Sequence, residues 1–121
     1  MQHVMSYIMQ PYSEDPDKLE RILELEEWDE NVASVKAMKE GVLLTYDHWN
    51  VVEYLQDYYL RNGWPDSARV MARKLDREFS EQGGKRFLYT LFPKAPLKQA
   101  ARIAGLPAIR ETGSSAHGYE L

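Results

Sequence analysis

The 121-residue chain contains no cysteine. Disulfides, thiolate zinc sites, iron–sulfur ligation and cysteine nucleophiles are thereby excluded. No apolar run approaches the ~18 residues of a membrane-spanning helix. The opening residues, Met1 to Met9, lack a basic n-region and include His3 and Ser6, so they do not read as a signal peptide, and the expected location is cytoplasmic. Histidine is scarce. His3, His48 and His117 pair neither with one another nor with a second ligand type at metal spacing, and no metal site is expected. Gly83-Gly84 lacks the strand–loop–helix context and the Gly-Lys-Ser/Thr ending of a phosphate-binding loop. The carboxylates Glu26 and Glu27, and Glu14, Asp15 and Asp17, sit in acidic solvated stretches with nothing to raise a pKa, and Ser114-Ser115 has no partner base. No catalytic residue and no cofactor are expected.

What is present is an ordinary globular balance, 44% apolar and 28% charged, in a length suited to one domain. The net charge of −4 conceals a polarity. Residues 1–60 carry four basic and thirteen acidic side chains, whereas residues 61–110 carry eleven basic and four acidic ones. Two readings stay open: the halves neutralise each other across the fold, or the basic half is a footprint for an anionic partner.

The periodicity predicts a mainly α domain. Asp15-Pro16 pairs an N-cap acid with proline at the first helical position, and Leu19, Ile22, Leu23 and Glu26 follow with a period near 3.6. A second helix starts at Asp29, with Val32, Val35 and Met38 on its apolar face and Gly41 as its stop. Thr45 caps the longest pattern, in which Trp49, Val52, Leu55 and Tyr59 form a buried stripe with Val51 and Tyr58 at its margin, and Asn62-Gly63 ends it. A fourth helix runs from about Asp66 to Phe79, buried through Ala68, Met71, Ala72 and Leu75. Phe87, Leu88, Leu91 and Phe92 mark a fifth. Pro96 opens a sixth, with Leu97, Ala100, Ala101, Ile103 and Ala104 apolar and Gly105 as its cap. Met5–Met9 and Gly41–Leu44 are the only short strand candidates. Residues 1–107 form the expected domain. Residues 108–121, small and polar through Thr112 to Gly118, are expected to be a mobile C-terminal arm.

The basic side chains are arranged. Arg69, Arg73 and Arg77 recur every fourth residue on the fourth helix, Lys85-Arg86 follow the glycine turn, and Lys94, Lys98 and Arg102 surround the sixth helix. Two arginine-bearing helices joined by a glycine turn permit a helix-turn-helix reading, with DNA contacted through Arg69, Arg73, Arg77 and Arg86. Base-reading Asn and Gln are few here, and a solvated face is the competing explanation.

Two stretches carry a family resemblance. Leu43-Leu44-Thr45-Tyr46-Asp47-His48-Trp49-Asn50-Val51-Val52, continuing to Tyr59, is one. Leu91-Phe92-Pro93-Lys94-Ala95-Pro96-Leu97-Lys98-Gln99-Ala100-Ala101-Arg102-Ile103-Ala104-Gly105-Leu106-Pro107 is the other. Together with Trp28 and the Pro65–Val70 region, they resemble the DsrC/TusE sulfur-relay family, proteins associated with dissimilatory sulfite reductase and with tRNA thiolation. The resemblance covers Leu25 to Pro107. It implies the family's small helical fold with a short N-terminal β-hairpin, in whose region this chain has an acidic helical segment near Asp15–Glu27.

The resemblance also implies a departure. Family carriers hold sulfur on a cysteine of the mobile C-terminal arm, and redox-active members add a second cysteine after Gln-Ala. The corresponding positions here are Ser114 and Ala101. A serine hydroxyl is unionised at neutral pH and forms no persulfide, so the family chemistry has no nucleophile. The expectation is a non-enzymatic protein with a regulatory or adaptor role in sulfur metabolism, docking to sulfur-relay or sulfite reductase partners through Lys94, Lys98 and Arg102. Two alternatives stand beside it: a relay component for tRNA 2-thiouridine formation or dissimilatory sulfur metabolism, and a DNA-binding regulator.

Overall fold

The computed structural model describes residues 16–110. Among them are six α-helices and a 3-10 turn, and no strand. They are α1 (Pro16–Glu24), α2 (Glu30–Lys39), α3 (Tyr46–Asn62), α4 (Ala68–Glu78), the 3-10 turn Ser80–Gln82, α5 (Lys85–Leu91) and α6 (Pro96–Ile103). Met5–Met9, the arm from residue 111 and any N-terminal hairpin lie outside the described residues. Gly41–Leu44, the other strand candidate, is a turn at Gly41 followed by residues that belong to no helix or strand. No helix among the described residues is long and apolar enough to cross a membrane.

The short α6 is the centre of the packing. It lies against α2, α3, α4 and α5. Pro96, Leu97, Gln99, Ala100, Ala101 and Ile103 are all buried, which leaves Lys98 and Arg102 exposed. A helix surrounded this way cannot also carry bulky side chains all round, and its alanines let the neighbouring backbones approach. Helix α2 follows the same rule. Its buried residues are Ala33 and Ala37, whereas Val35 and Met38, expected to face the core, are 53% and 77% exposed. The larger apolar side chains are turned outward because the close contact with α6 selects the small ones.

Asp29 closes the start of α2 as the sequence predicts, accepting from Val32 N–H at 2.8 Å; at α4 the cap is Ser67, through Val70 N–H, one residue past the expected start near Asp66. Arg21 reaches from α1 to donate to the carbonyls of Leu60 and Arg61, covering the last turn of α3. The stripe on α3 comprises Val51, Val52, Leu55, Tyr59 and Leu60, with Trp49 only partly buried. Gln56 shares that buried face, a polar residue the apolar pattern did not suggest.

Two glycine-ended helices share one geometry. Gly41 N–H donates to Met38 O and Val42 N–H to Ala37 O, and at α6 Gly105 N–H donates to Arg102 O and Leu106 N–H to Ala101 O. Both are Schellman closures with a left-handed glycine. Gly105, at φ 76°, is constrained twice, because a Cβ there would stand 2.6 Å from Trp28 Cδ1. Gly105→Ala is therefore expected to lower unfolding free energy by at least about 1–2 kcal/mol from backbone strain alone. Denaturant titration followed by far-ultraviolet dichroism measures it, and a midpoint unchanged from the parent protein would contradict the double constraint.

Candidate functional site

The polypeptide that leaves α6 is fastened to the fold through its carbonyl groups. Trp28 Nε1–H donates to Ile103 O at 2.9 Å. The buried Gln56 Nε2–H donates to Ala104 O at 2.7 Å. Trp64 Nε1–H donates to Pro107 O at 2.8 Å, and its ring stands 5.1 Å from that of Tyr59. Ala68 N–H, at the start of α4, donates to Arg110 O at 2.8 Å. Ile109 is half-buried against the core between the last two tethers. The root of the arm thus follows a fixed course from α6 across the start of α4 as far as Arg110.

Tyr59 completes the support. Its hydroxyl donates to Glu24 Oε2 at 2.8 Å, and burial followed by that carboxylate holds its ionisation well above the ordinary tyrosine range.

A second constellation lies where α2 ends against α6. Arg102 Nε and Nη2 donate to the two oxygens of Glu40 at 2.9 and 2.6 Å, a bidentate pair. The Arg102 hydrogen bond is the chief reason the Glu40 carboxyl sits below the usual carboxylate range. Gln99 Nε2 donates to the same carboxylate at 3.2 Å, and Gln99 Oε1 accepts from Lys94 N–H at 3.1 Å. The Lys94 loop is also held from α3. His48 Nε2–H donates to Leu91 O at 2.7 Å, while its Nδ1 accepts from Thr45 N–H at 3.1 Å. Its ring meets Phe92 edge-on at 5.0 Å. Because a carbonyl can only accept, this pattern assigns the neutral Nε2–H tautomer.

Of the residues expected to meet a partner, Lys94 and Lys98 are exposed. Arg102 is accessible as well, but its guanidinium is committed to Glu40. That ion pair crosses from the acidic half of the sequence to the basic half. Arg69, Arg73 and Arg77 are exposed on α4, and Arg86 is exposed on the short α5. Ala101 is 4% exposed, inside the core and away from solvent. Ser114 and His117 lie outside the described residues. No cluster of metal-ligating side chains occurs among the described residues. Periodicity could not have revealed the indole and amide donors at the arm root. Their cue is the occurrence of Trp28, Gln56 and Trp64 in or beside apolar segments, each a polar hydrogen that must find an acceptor once buried.

A family model described as DsrC like protein matches residues 12–110. Sulfurtransferase TusE of Shigella dysenteriae serotype 1 and of Escherichia coli K12 are each 42% identical over 85 residues, covering 69% of this chain and 78% of theirs. Among solved structures, the NMR structure of Allochromatium vinosum DsrC superposes with a TM-score of 0.62 at 35% identity, covering 73% of this chain and 80% of that one.

Burial is the main reason that His48 binds a proton less readily than a free histidine. A folded-state pKa below the unfolded value means that the unfolded chain takes up more protons, so stability is present above the unfolded pKa of about 6.5 and declines as pH falls below it. The lowered carboxyl of Glu40 adds a loss of the same sign near the bottom of the carboxylate range. Thermal unfolding followed from pH 8 to 5 should show a falling midpoint, flattened between about 7 and 5 in His48→Gln. Equal pH slopes for the two proteins would remove His48 as the cause.

Proposed function

Since the chain belongs to the DsrC-like family and is a sulfur-relay relative by sequence and fold, we propose that it works as a cysteine-free member. It occupies the docking surfaces of sulfur-relay or sulfite reductase partners without carrying sulfur. The observation that carries this reading is the pairing of a retained framework with an absent nucleophile. The Leu97–Pro107 segment is largely buried, closed and tethered as described, yet the chain has no cysteine. Sulfane sulfur transfer requires a thiolate that attacks and then holds the sulfur atom. Neither a serine hydroxyl nor an alanine methyl supplies one. Occupancy without turnover makes such a protein a competitor or adaptor for thiol-bearing relatives.

Lys94 and Lys98 are the side chains proposed to meet the partner, with Arg102 positioned by Glu40 beside them. Positive charge at this rim steers association with an anionic surface and raises the on-rate at low salt. The fixed course of residues 103–110 delivers whatever follows Arg110 from one place on the surface, beside the start of α4. Pre-ordering the root reduces the entropy lost when the arm engages a partner.

Two measurements test the proposal. Incubation with a persulfide donor, followed by intact-mass analysis, should show no added sulfur on this chain, whereas Ser114→Cys should gain it. Ala101→Cys should gain little, because that position is buried in the core. A thiol-bearing TusE relative should lose binding to its relay partner as this chain is added, and Lys94→Glu with Lys98→Glu should relieve that competition by about tenfold or more. Native sulfur on the unmodified chain, or an absence of competition, would end the reading.

A further inference from the structure

The arginine side chains of α4 take no part in holding the fold together. Arg69, Arg73 and Arg77 are exposed, and among the described residues no guanidinium of the three has a hydrogen-bond or ion-pair partner. The other charges of the helix are engaged elsewhere. Asp76 Oδ1 accepts from Lys85 N–H at 2.7 Å. Lys74 Nζ stands over the Tyr58 ring, 5.6 Å from its centroid. Glu78 lines the cleft shared with Asn50 and Asp57 of α3. Met71, Ala72 and Leu75 form the buried side. What remains is one outward strip on which the arginines follow one another every fourth residue, with Val70, 36% exposed, beside them.

The strip has a pitch and two ends. Successive arginines are about 6 Å apart along the axis, so the row is about 12 Å long. A guanidinium is a planar fork that takes a carboxylate or a phosphate through two parallel hydrogen bonds, as Arg102 does with Glu40. Three unused forks in a row suit three anionic groups at the same pitch. Asp66 is exposed ahead of the row, and Glu78 and Glu81 are exposed beyond it. A nucleic-acid strand laid along the arginines would carry further phosphates past both sets of carboxylates, where like charges repel it. A short acidic segment has no charge to place there. On a helix, carboxylates at every fourth residue have the pitch and the slant of the arginine row, so the two rows can run alongside each other.

The row also begins where the arm leaves the fold. Ala68 N–H, one residue before Arg69, donates to Arg110 O at 2.8 Å. Arg110 is exposed, and its side chain has no partner among the described residues. A protein seated on α4 would therefore meet the arm at its own edge.

We propose that the outer face of α4 docks an acidic helix of a partner protein, with Asp or Glu at every fourth residue paired to Arg69, Arg73 and Arg77. This inference rests on the docking reading above and adds to it a contact on another helix than the one flanked by Lys94 and Lys98.

The probe is a fluorescently labelled alanine-rich helical peptide with three glutamates four residues apart, titrated by anisotropy against the full chain at low ionic strength. Binding is expected, weakening as salt rises. The same peptide with its glutamates redistributed around the helix should bind about tenfold or more less tightly. Arg73→Glu, at an exposed position and checked for unchanged helicity, should weaken binding of the first peptide by about tenfold or more, and exchanging the central glutamate of that peptide for lysine should restore it. Lys39→Glu, the same charge change at an exposed position of α2, should leave binding nearly unchanged. No binding, equal binding of the two peptides, or no restoration by the lysine peptide would overturn the proposal. So would tighter binding of a short DNA or RNA oligonucleotide that Arg73→Glu abolishes, which assigns the row to nucleic acid. A dimer in sedimentation that Arg73→Glu dissolves would overturn it too, assigning the row to the acidic half of a second copy. If Arg73→Glu competes for relay partners as well as the parent chain does, this inference fails while the docking reading stands. Peptide binding with restoration, in a chain that competes for no relay partner, would end the docking reading alone.

Discussion

Helix α6 supplies the constraint on which the remaining elements depend. It is eight residues long, and six of its side chains are buried against four other helices. Its two exposed side chains are Lys98 and Arg102. Its last carbonyls are claimed by Trp28 and Gln56, from different parts of the sequence. Displacing α6 would therefore release the arm root, the Glu40–Arg102 pair and the Lys94 loop together. The fold couples its core directly to its most exposed chemistry, with little between them.

That coupling also bears on Ala101, one of the small side chains packed inside α6. Ala101 is a core side chain here, and its methyl group satisfies the packing by itself. The framework around it requires small size at that point and makes no demand for a reactive atom.

Much of the fold was legible in the sequence because caps and stops are local. Asp29, Thr45, Gly63 and Gly105 each close an element through groups only a few residues away. The apolar stripe of α4 was legible for the same reason. The face of α2 was not. Val32, Val35 and Met38 have helical spacing, but the packing partner is another helix at close range, and Ala33 and Ala37 win that contact. Periodicity reports that a helix is amphipathic; it does not weigh size against hydrophobicity. Of the candidate site, the positions of Lys94, Lys98 and the α4 arginines on the surface followed from spacing. The engagement of Arg102 by Glu40 did not, since 62 residues separate them. The donors of the arm root were hidden likewise, because a pattern of side chains says nothing about which main-chain acceptors they meet.

The tethers on residues 103–110 all address carbonyl oxygens: two indoles, one carboxamide and one peptide amide. Every residue type carries that oxygen, so these bonds are blind to what the arm's own side chains are. Outside Gly105 and the core residues Ile103, Ala104, Leu106 and Ile109, substitutions along this stretch leave its path intact. The trajectory up to Arg110 can therefore be kept while the side chains along it change.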